Sequence, residues 1–201
     1  MARVAFGLRA HSGWAALVVL AEADGTLDVV ERRRLELVPP ENAPWAKAPY
    51  HAAEELELAE AEDLVRRATV SAHAEAGRAL ARALAERSKA GDCVVGCGVL
   101  LGSGMPGWSV AEIRAVHMRM HKAEGELFRD ALVRGAERAG LEVTGIREKE
   151  LEVRAGKALR LAADAQQRRL AEAGRRAGPP WGRDQKEAAL VAWIALRSAA
   201  R

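Results

Sequence analysis

Asp184 and Glu187 stand three apart in a run of helix-forming residues near the end of the chain, so a helix presents both carboxylates on one side. Paired carboxylates can share a hard divalent cation such as Mg²⁺ or Mn²⁺, or divide acid and base work in phosphoester hydrolysis. The same two residues also read as a helix start, Asp184 as N-cap and Glu187 as its capping-box partner, and on sequence alone both readings stand. Lys186, between them, can contact a phosphate or simply point into water. His117 and His121 are four apart on a predicted helix, with Glu124 further along the same face. His-x3-His is how a helix offers two imidazoles to a transition metal, and Glu124 is the geometrically reasonable third ligand. An amphipathic surface is the alternative, since Met118 and Met120 are interleaved.

Arg9, His11 and Ser12 gather where a first hairpin should turn. An arginine there can pair bidentately with a phosphate or a carboxylate. A Ser12–His11 nucleophile is disfavoured, because sequence neighbours on a strand point to opposite faces. Gly102-Ser103-Gly104 follows an apolar run and precedes a helix, a common place for backbone N–H groups to hold an anion, but it has neither the Walker lysine nor dinucleotide-binding spacing. Cys93 and Cys97 lie on one face of an apolar run and fit no zinc signature, which favours buried thiols over ligands. Trp45, Trp108 and Trp181 fall in Pro/Gly loops, where an indole either packs the loop down or offers a stacking surface.

The elements that must position these residues follow from periodicity. Val4 to Gly7, Ala15 to Ala21 and Leu27 to Val38 are three strand-like runs, the third alternating as Arg34, Leu35, Glu36, Leu37. A loop with Pro39, Pro40, Pro44 and Pro49 ends this meander. From His51 to Ala90 the spacing is helical, as one helix or as two with a break near Thr69. Cys93 to Leu101 reads as a strand buried on both faces. Ser109 and Glu112 form a capping box for a helix reaching about Ala139, with Gly125 as a point of interruption. A fifth strand follows over Leu141 to Ile146, then helices over Glu148 to Leu161, Asp164 to Ala173 and Gln185 to Ala199.

Three antiparallel strands, a helix, a parallel strand, a helix, a fifth strand and a closing helix resemble the element order of the ribonuclease H-like fold. The local sequences sharpen the resemblance toward the RuvC-type Holliday-junction resolvases. Gly7-Leu8-Arg9-Ala10-His11-Ser12-Gly13-Trp14 looks like a shortened form of their first hairpin, and Asp184-Gln-Lys-Glu187-Ala-Ala-Leu190 resembles their closing helix. The resemblance implies an α/β fold, a five-stranded mixed sheet with helices on both faces, and homodimerisation. It also implies carboxylates on the first strand, the fourth strand and the last helix around two divalent cations. The first-strand position here holds Arg9, or Leu8 if the alignment slips by one, and the fourth strand reads Val95-Gly-Cys-Gly-Val99 with no acid. Only Asp184 and Glu187 match.

The chain has 201 residues, 49% hydrophobic and 29% charged, a size and balance that fit one domain over 1–201. No run approaches the roughly twenty apolar residues of a membrane span, and the N-terminus lacks a secretory pattern, so a cytoplasmic protein is expected. Residues 147–201 carry thirteen Lys or Arg against seven Asp or Glu, whereas the rest carries 18 basic and 21 acidic residues. This asymmetry is compatible with a polyanionic partner. The leading expectation is a ribonuclease H-like protein with a degenerate site. It binds nucleic acid, branched or structured, or a protein partner, through the cleft with Arg9, Lys186, Arg183, Arg175 and Arg176, and needs no cofactor. The competing expectation is a metal-dependent nuclease or phosphoester hydrolase. It would use Asp184, Glu187 and His11 with Mg²⁺ or Mn²⁺, or one metal at His117, His121 and Glu124.

Overall fold

A computed structural model describes residues 2–42 and 44–199. The alternation of the first residues builds β1 (Arg3–His11), with Val4, Phe6 and Leu8 in one core and Ala5, Gly7 and Arg9 turned to the opposite face. β2 (Trp14–Ala23) returns antiparallel, and the ladder continues through Arg9 with Ala16 and His11 with Trp14. The turn is therefore only Ser12-Gly13, and Arg9 and His11 belong to the strand rather than to the turn expected there. Asp24 and Gly25, both at positive φ, form the two-residue turn into β3 (Thr26–Glu36).

The proline-containing loop leads into a single-turn helix α1 (Pro49–Ala52), and α2 (Leu58–Lys89) then runs unbroken for 32 residues. No break occurs near Thr69, because its hydroxyl donates to the Val65 carbonyl at 2.9 Å and stays within the helix. β4 (Cys93–Leu101) pairs parallel with β1. The capping box of Ser109 and Glu112 starts a short α3 (Val110–Arg114), and α4 (His117–Arg138) follows it. The interruption falls at Ala115-Val116 and not at Gly125, which lies inside α4; Val116 has extended backbone at φ −140°. β5 (Val143–Arg147) pairs parallel with β4, and α5 (Leu151–Leu159), α6 (Ala163–Ala177) and α7 (Arg183–Ser198) complete the described chain.

The sheet order is β3-β2-β1-β4-β5, three antiparallel strands continued by two parallel ones. On one face, Val4, Phe6, Leu8 and Val99 pack against Leu80 of α2 and Phe128 and Leu132 of α4. On the other, Val18, Leu20, Leu100 and Ile146 pack against Leu151 of α5, Leu170 of α6 and Trp193 of α7. Each large apolar side chain so enclosed contributes roughly 2 kcal/mol relative to exposure. The indole N–H of Trp193, a fully buried residue, donates to Glu22 at 2.9 Å, so even this polar atom is satisfied. No helix among the described residues is long and apolar enough to cross a membrane.

Candidate functional site

α7 lies unusually close to the centre of the sheet. Gly7 and Gly98 make that approach possible: a Cβ on either would overlap a main-chain carbonyl of α7, that of Ala188 or that of Val191. Ala188 and Ala192 match them on the helix side. Seated this way, the first turns of α7 meet the carboxyl end of β1, two residues beyond Gly7 on the same strand face. There the Arg9 guanidinium bridges both helix carboxylates. Its Nε donates to Glu187 at 2.6 Å, and its terminal nitrogen donates to Asp184. Arg9 is only 13% exposed. On the outer side, Arg183 Nε donates to the other Glu187 oxygen at 2.6 Å.

His11, on the same face as Arg9, has Nε2 3.1 Å from Asp184. Its ring stacks on Trp14 with centroids 4.2 Å apart and planes at 7°. Arg34 lies 4.3 Å from the same indole, so Trp14 is held between side chains from the strands on either side of its own. The capping reading of Asp184 and Glu187 is corrected by this geometry. Gly182 is the N-cap, and its N–H donates to the Gln185 side chain at 2.9 Å. The two carboxylates play no part in capping and are engaged by arginines instead. To this face β4 brings Val95, Gly96, Gly98 and Leu100, none of them acidic.

The architecture has solved counterparts. A structure of Thermus thermophilus RuvC matches at 13% identity with a TM-score of 0.53, covering 98% of this chain and 96% of that one. A structure of the T. thermophilus RuvC in complex with a Holliday junction substrate matches at 10% identity with a TM-score of 0.56, covering 98% and 95%. The fold is the ribonuclease H-like fold. No protein-family model matches the sequence, and no curated protein matches it. At such identities the likeness concerns the ribonuclease H-like frame and carries no residue roles across.

The basic residues expected to line this cleft divide into two groups. Arg183, 72% exposed, and the exposed Lys186 sit at the start of α7 beside the Arg9 cluster. Arg176 lies elsewhere: it donates to the Leu27 carbonyl at the far end of β3, level with the start of β1 through the Leu27–Glu22 pairing. Arg175, next to it on α6, is exposed and 4.0 Å from Glu172. Their membership of the Arg9 site is thus corrected; α6 runs along the opposite end of the sheet edge before Gly178 and Pro179 accept hydrogen bonds from Arg32 at 2.6 Å.

The remaining candidates resolve mostly into packing. Gly102 has the Glu126 carboxylate and the Arg129 guanidinium, paired with each other, where its side chain would project. Trp45, Trp108 and Trp181 each pack against a core cluster, and Arg119 lies 4.6 Å over Trp108. Cys97 is fully buried, and burial pushes its thiol up to about 12.

The histidine pair is a different case. His117 and His121 do converge, Nε2 to Nε2 at 3.0 Å, but Glu124 is not beside them as a ligand. It is buried, 3% exposed, and its Oε1 accepts from the Tyr50 and His51 backbone N–H groups at 3.1 and 3.2 Å and pairs with His51 Nδ1 at 2.8 Å. The expected ligand set of His117, His121 and Glu124 is therefore corrected: the side chain that meets the two imidazoles is His51, brought in by α1. Burial and the Glu124 charge together hold the Tyr50 phenol above its ordinary range. The sequence had no signal that singled out His51, which stands at the start of the run read as helical, just after the proline-containing loop and 66 residues before His117.

Proposed function

We propose that this protein binds nucleic acid at the junction of β1 and α7 without cleaving it by two-metal chemistry. The observation that carries this reading is the Arg9 guanidinium bridging Asp184 and Glu187, the two positions at which the resemblance to the resolvases implies cation-binding carboxylates. Hard cations need several oxygen ligands, and the oxygens here already face arginine. Two guanidiniums against two carboxylates leave the cluster formally neutral before His11 is counted, so nothing in it draws in a 2+ ion. The residues present do not fit a two-cation site.

The same cation makes the site approachable for phosphate. With Asp184 and Glu187 paired to Arg9 and Arg183, the exposed Lys186 and the solvent-facing nitrogens of Arg183 are placed to meet a polyanion. The ribonuclease H-like frame and the structural counterpart solved with a Holliday junction substrate support a nucleic-acid partner of branched or structured form.

Purified protein titrated against four-way junction, duplex DNA and RNA over a salt series, with Mg²⁺ or Mn²⁺ present and products resolved on a gel, tests this. The expected result is binding that weakens with salt, and no cut strands. Removing Arg183 and Lys186 together should flatten the log K against log salt slope by about 1 to 2. Cleavage abolished by Asp184→Ala would overturn the reading in favour of a metal-dependent nuclease. Absence of binding to all three nucleic acids at low salt would overturn it in favour of a protein partner.

A further inference from the structure

On the other side of the molecule from α7, three imidazoles converge. α1 supplies His51, and the first two turns of α4 supply His117 and His121. One ring nitrogen from each lies within 4.8 Å of the other two, and ring centroids are 4.6 Å apart for His51–His121 and His117–His121 and 5.1 Å for His51–His117. Tetrahedral coordination at metal–nitrogen distances of about 2.0 Å separates ligand atoms by roughly 3.3 Å, close to the 3.0 Å between His117 and His121 Nε2. His117 and His121 are exposed and their rings are free to adjust, whereas His51 is held in place.

How His51 is held matters more than the clustering. Glu124 is a buried carboxylate paired with its Nδ1 at 2.8 Å, which sets that nitrogen as the protonated one and leaves Nε2 with a lone pair. That Nε2 is buried and has no hydrogen-bond partner. An acceptor nitrogen of this kind, shut away from water with a carboxylate fixing the ring behind it, is what a metal-ligating histidine requires. Two further imidazoles stand against it. The same Glu124 oxygen accepts from the Tyr50 and His51 backbone N–H groups, first-turn donors of a helix without a side-chain cap, and so ties α1 to α4.

We propose that His51, His117 and His121 bind one divalent transition-metal ion of the imidazole-preferring class, with Zn²⁺ as the natural probe, and that Glu124 is a positioning residue for His51. Three protein nitrogens leave the fourth tetrahedral position open on the solvent side, for water or an anionic group. This inference is independent of the β1–α7 reading, since it shares no residue with it.

The test is calorimetric titration of Zn²⁺ into full-length protein first stripped with a chelator, paired with the visible spectrum of the Co²⁺ form. The expected result is one Zn²⁺ per chain with a tetrahedral cobalt spectrum. Binding should be lost in His117→Ala and in His121→Ala, both at exposed positions that leave the fold intact. Glu124→Gln should weaken binding about tenfold to a hundredfold, and His73→Ala, at a histidine paired instead with Asp130, should leave it unchanged. The proposal is overturned by no uptake, by octahedral cobalt, or by uptake that survives in both α4 variants. Should Glu124→Gln shift the fold, circular dichroism will reveal it, and the two exposed histidine variants still decide.

Discussion

Arg9 is the residue on which the site turns. Among the described residues it is the sole guanidinium that reaches both Asp184 and Glu187, and its own exposure is small, so solvent screens these bonds only partly. Arg9→Ala leaves two carboxylates close together on one helix turn, Glu187 with Arg183 and Asp184 with the His11 ring as the remaining neighbour. Unfolding in urea should show a loss of about 2 kcal/mol, the scale of a charge-assisted hydrogen bond removed from one side. The same variant should bind nucleic acid more weakly than Arg183→Ala, because it uncovers both carboxylates, whereas loss of Arg183 leaves Arg9 bonded to each of them. Equal stability and equal binding would mean the Arg9 contacts are incidental.

At the scale of elements, the decisive feature is how near α7 comes to β1 and β4. That approach depends on Gly7 and Gly98 opposite Ala188 and Val191, and it carries Asp184 and Glu187 to Arg9. Gly98→Val puts a branched side chain into the Val191 carbonyl. The expected cost is about 3 kcal/mol or more, read as a lower urea midpoint, with nucleic-acid binding reduced alongside it although no charged residue has changed. A destabilised variant with binding intact would show that the helix start does not need the close contact. A second element-scale device is α1, tied to α4 by Glu124, and its function follows from which side chain that tie presents.

For the molecule as a whole, two cores flank one sheet, and Cys97 sits within the one beneath α2 and α4. Its thiol is fully buried and pushed up to about 12, so the thiolate is scarce and inaccessible in the native state. Cys93, at the start of the same strand, is partly exposed. A thiol reagent at neutral pH should therefore titrate one cysteine in native protein and two in urea, with the second reacting at a rate that follows global unfolding. Rapid native labelling of both would indicate that β4 opens locally.

Much of this was legible before the structure. The apolar runs from Val4 to Gly7 and Ala15 to Ala21, the period-two alternation over Arg34 to Leu37 and the continuous apolar run from Cys93 to Leu101 determined the strands. Element order determined the sheet, because a meander followed by β-α-β units has few ways to close. The spacing of Asp184 with Glu187, and of His117 with His121, determined that each pair shares a face, since helical geometry is local. Tertiary structure alone decided what each pair faces. Arg9 lies 175 residues from Asp184, and it could be read as a phosphate ligand, a turn residue or an ion-pair partner until the strand was seen to run on to His11. The N-cap moved to Gly182 because Gln185, rather than Glu187, stands three residues after it. His51 and Glu124 exchanged roles for a similar reason: a helix face predicts neighbours on the same helix, but burial of Glu124 turned it toward α1, and only packing brings a proline-flanked histidine to two imidazoles on another element. Periodicity speaks to which way a side chain points, and long-range contact settles what it meets there.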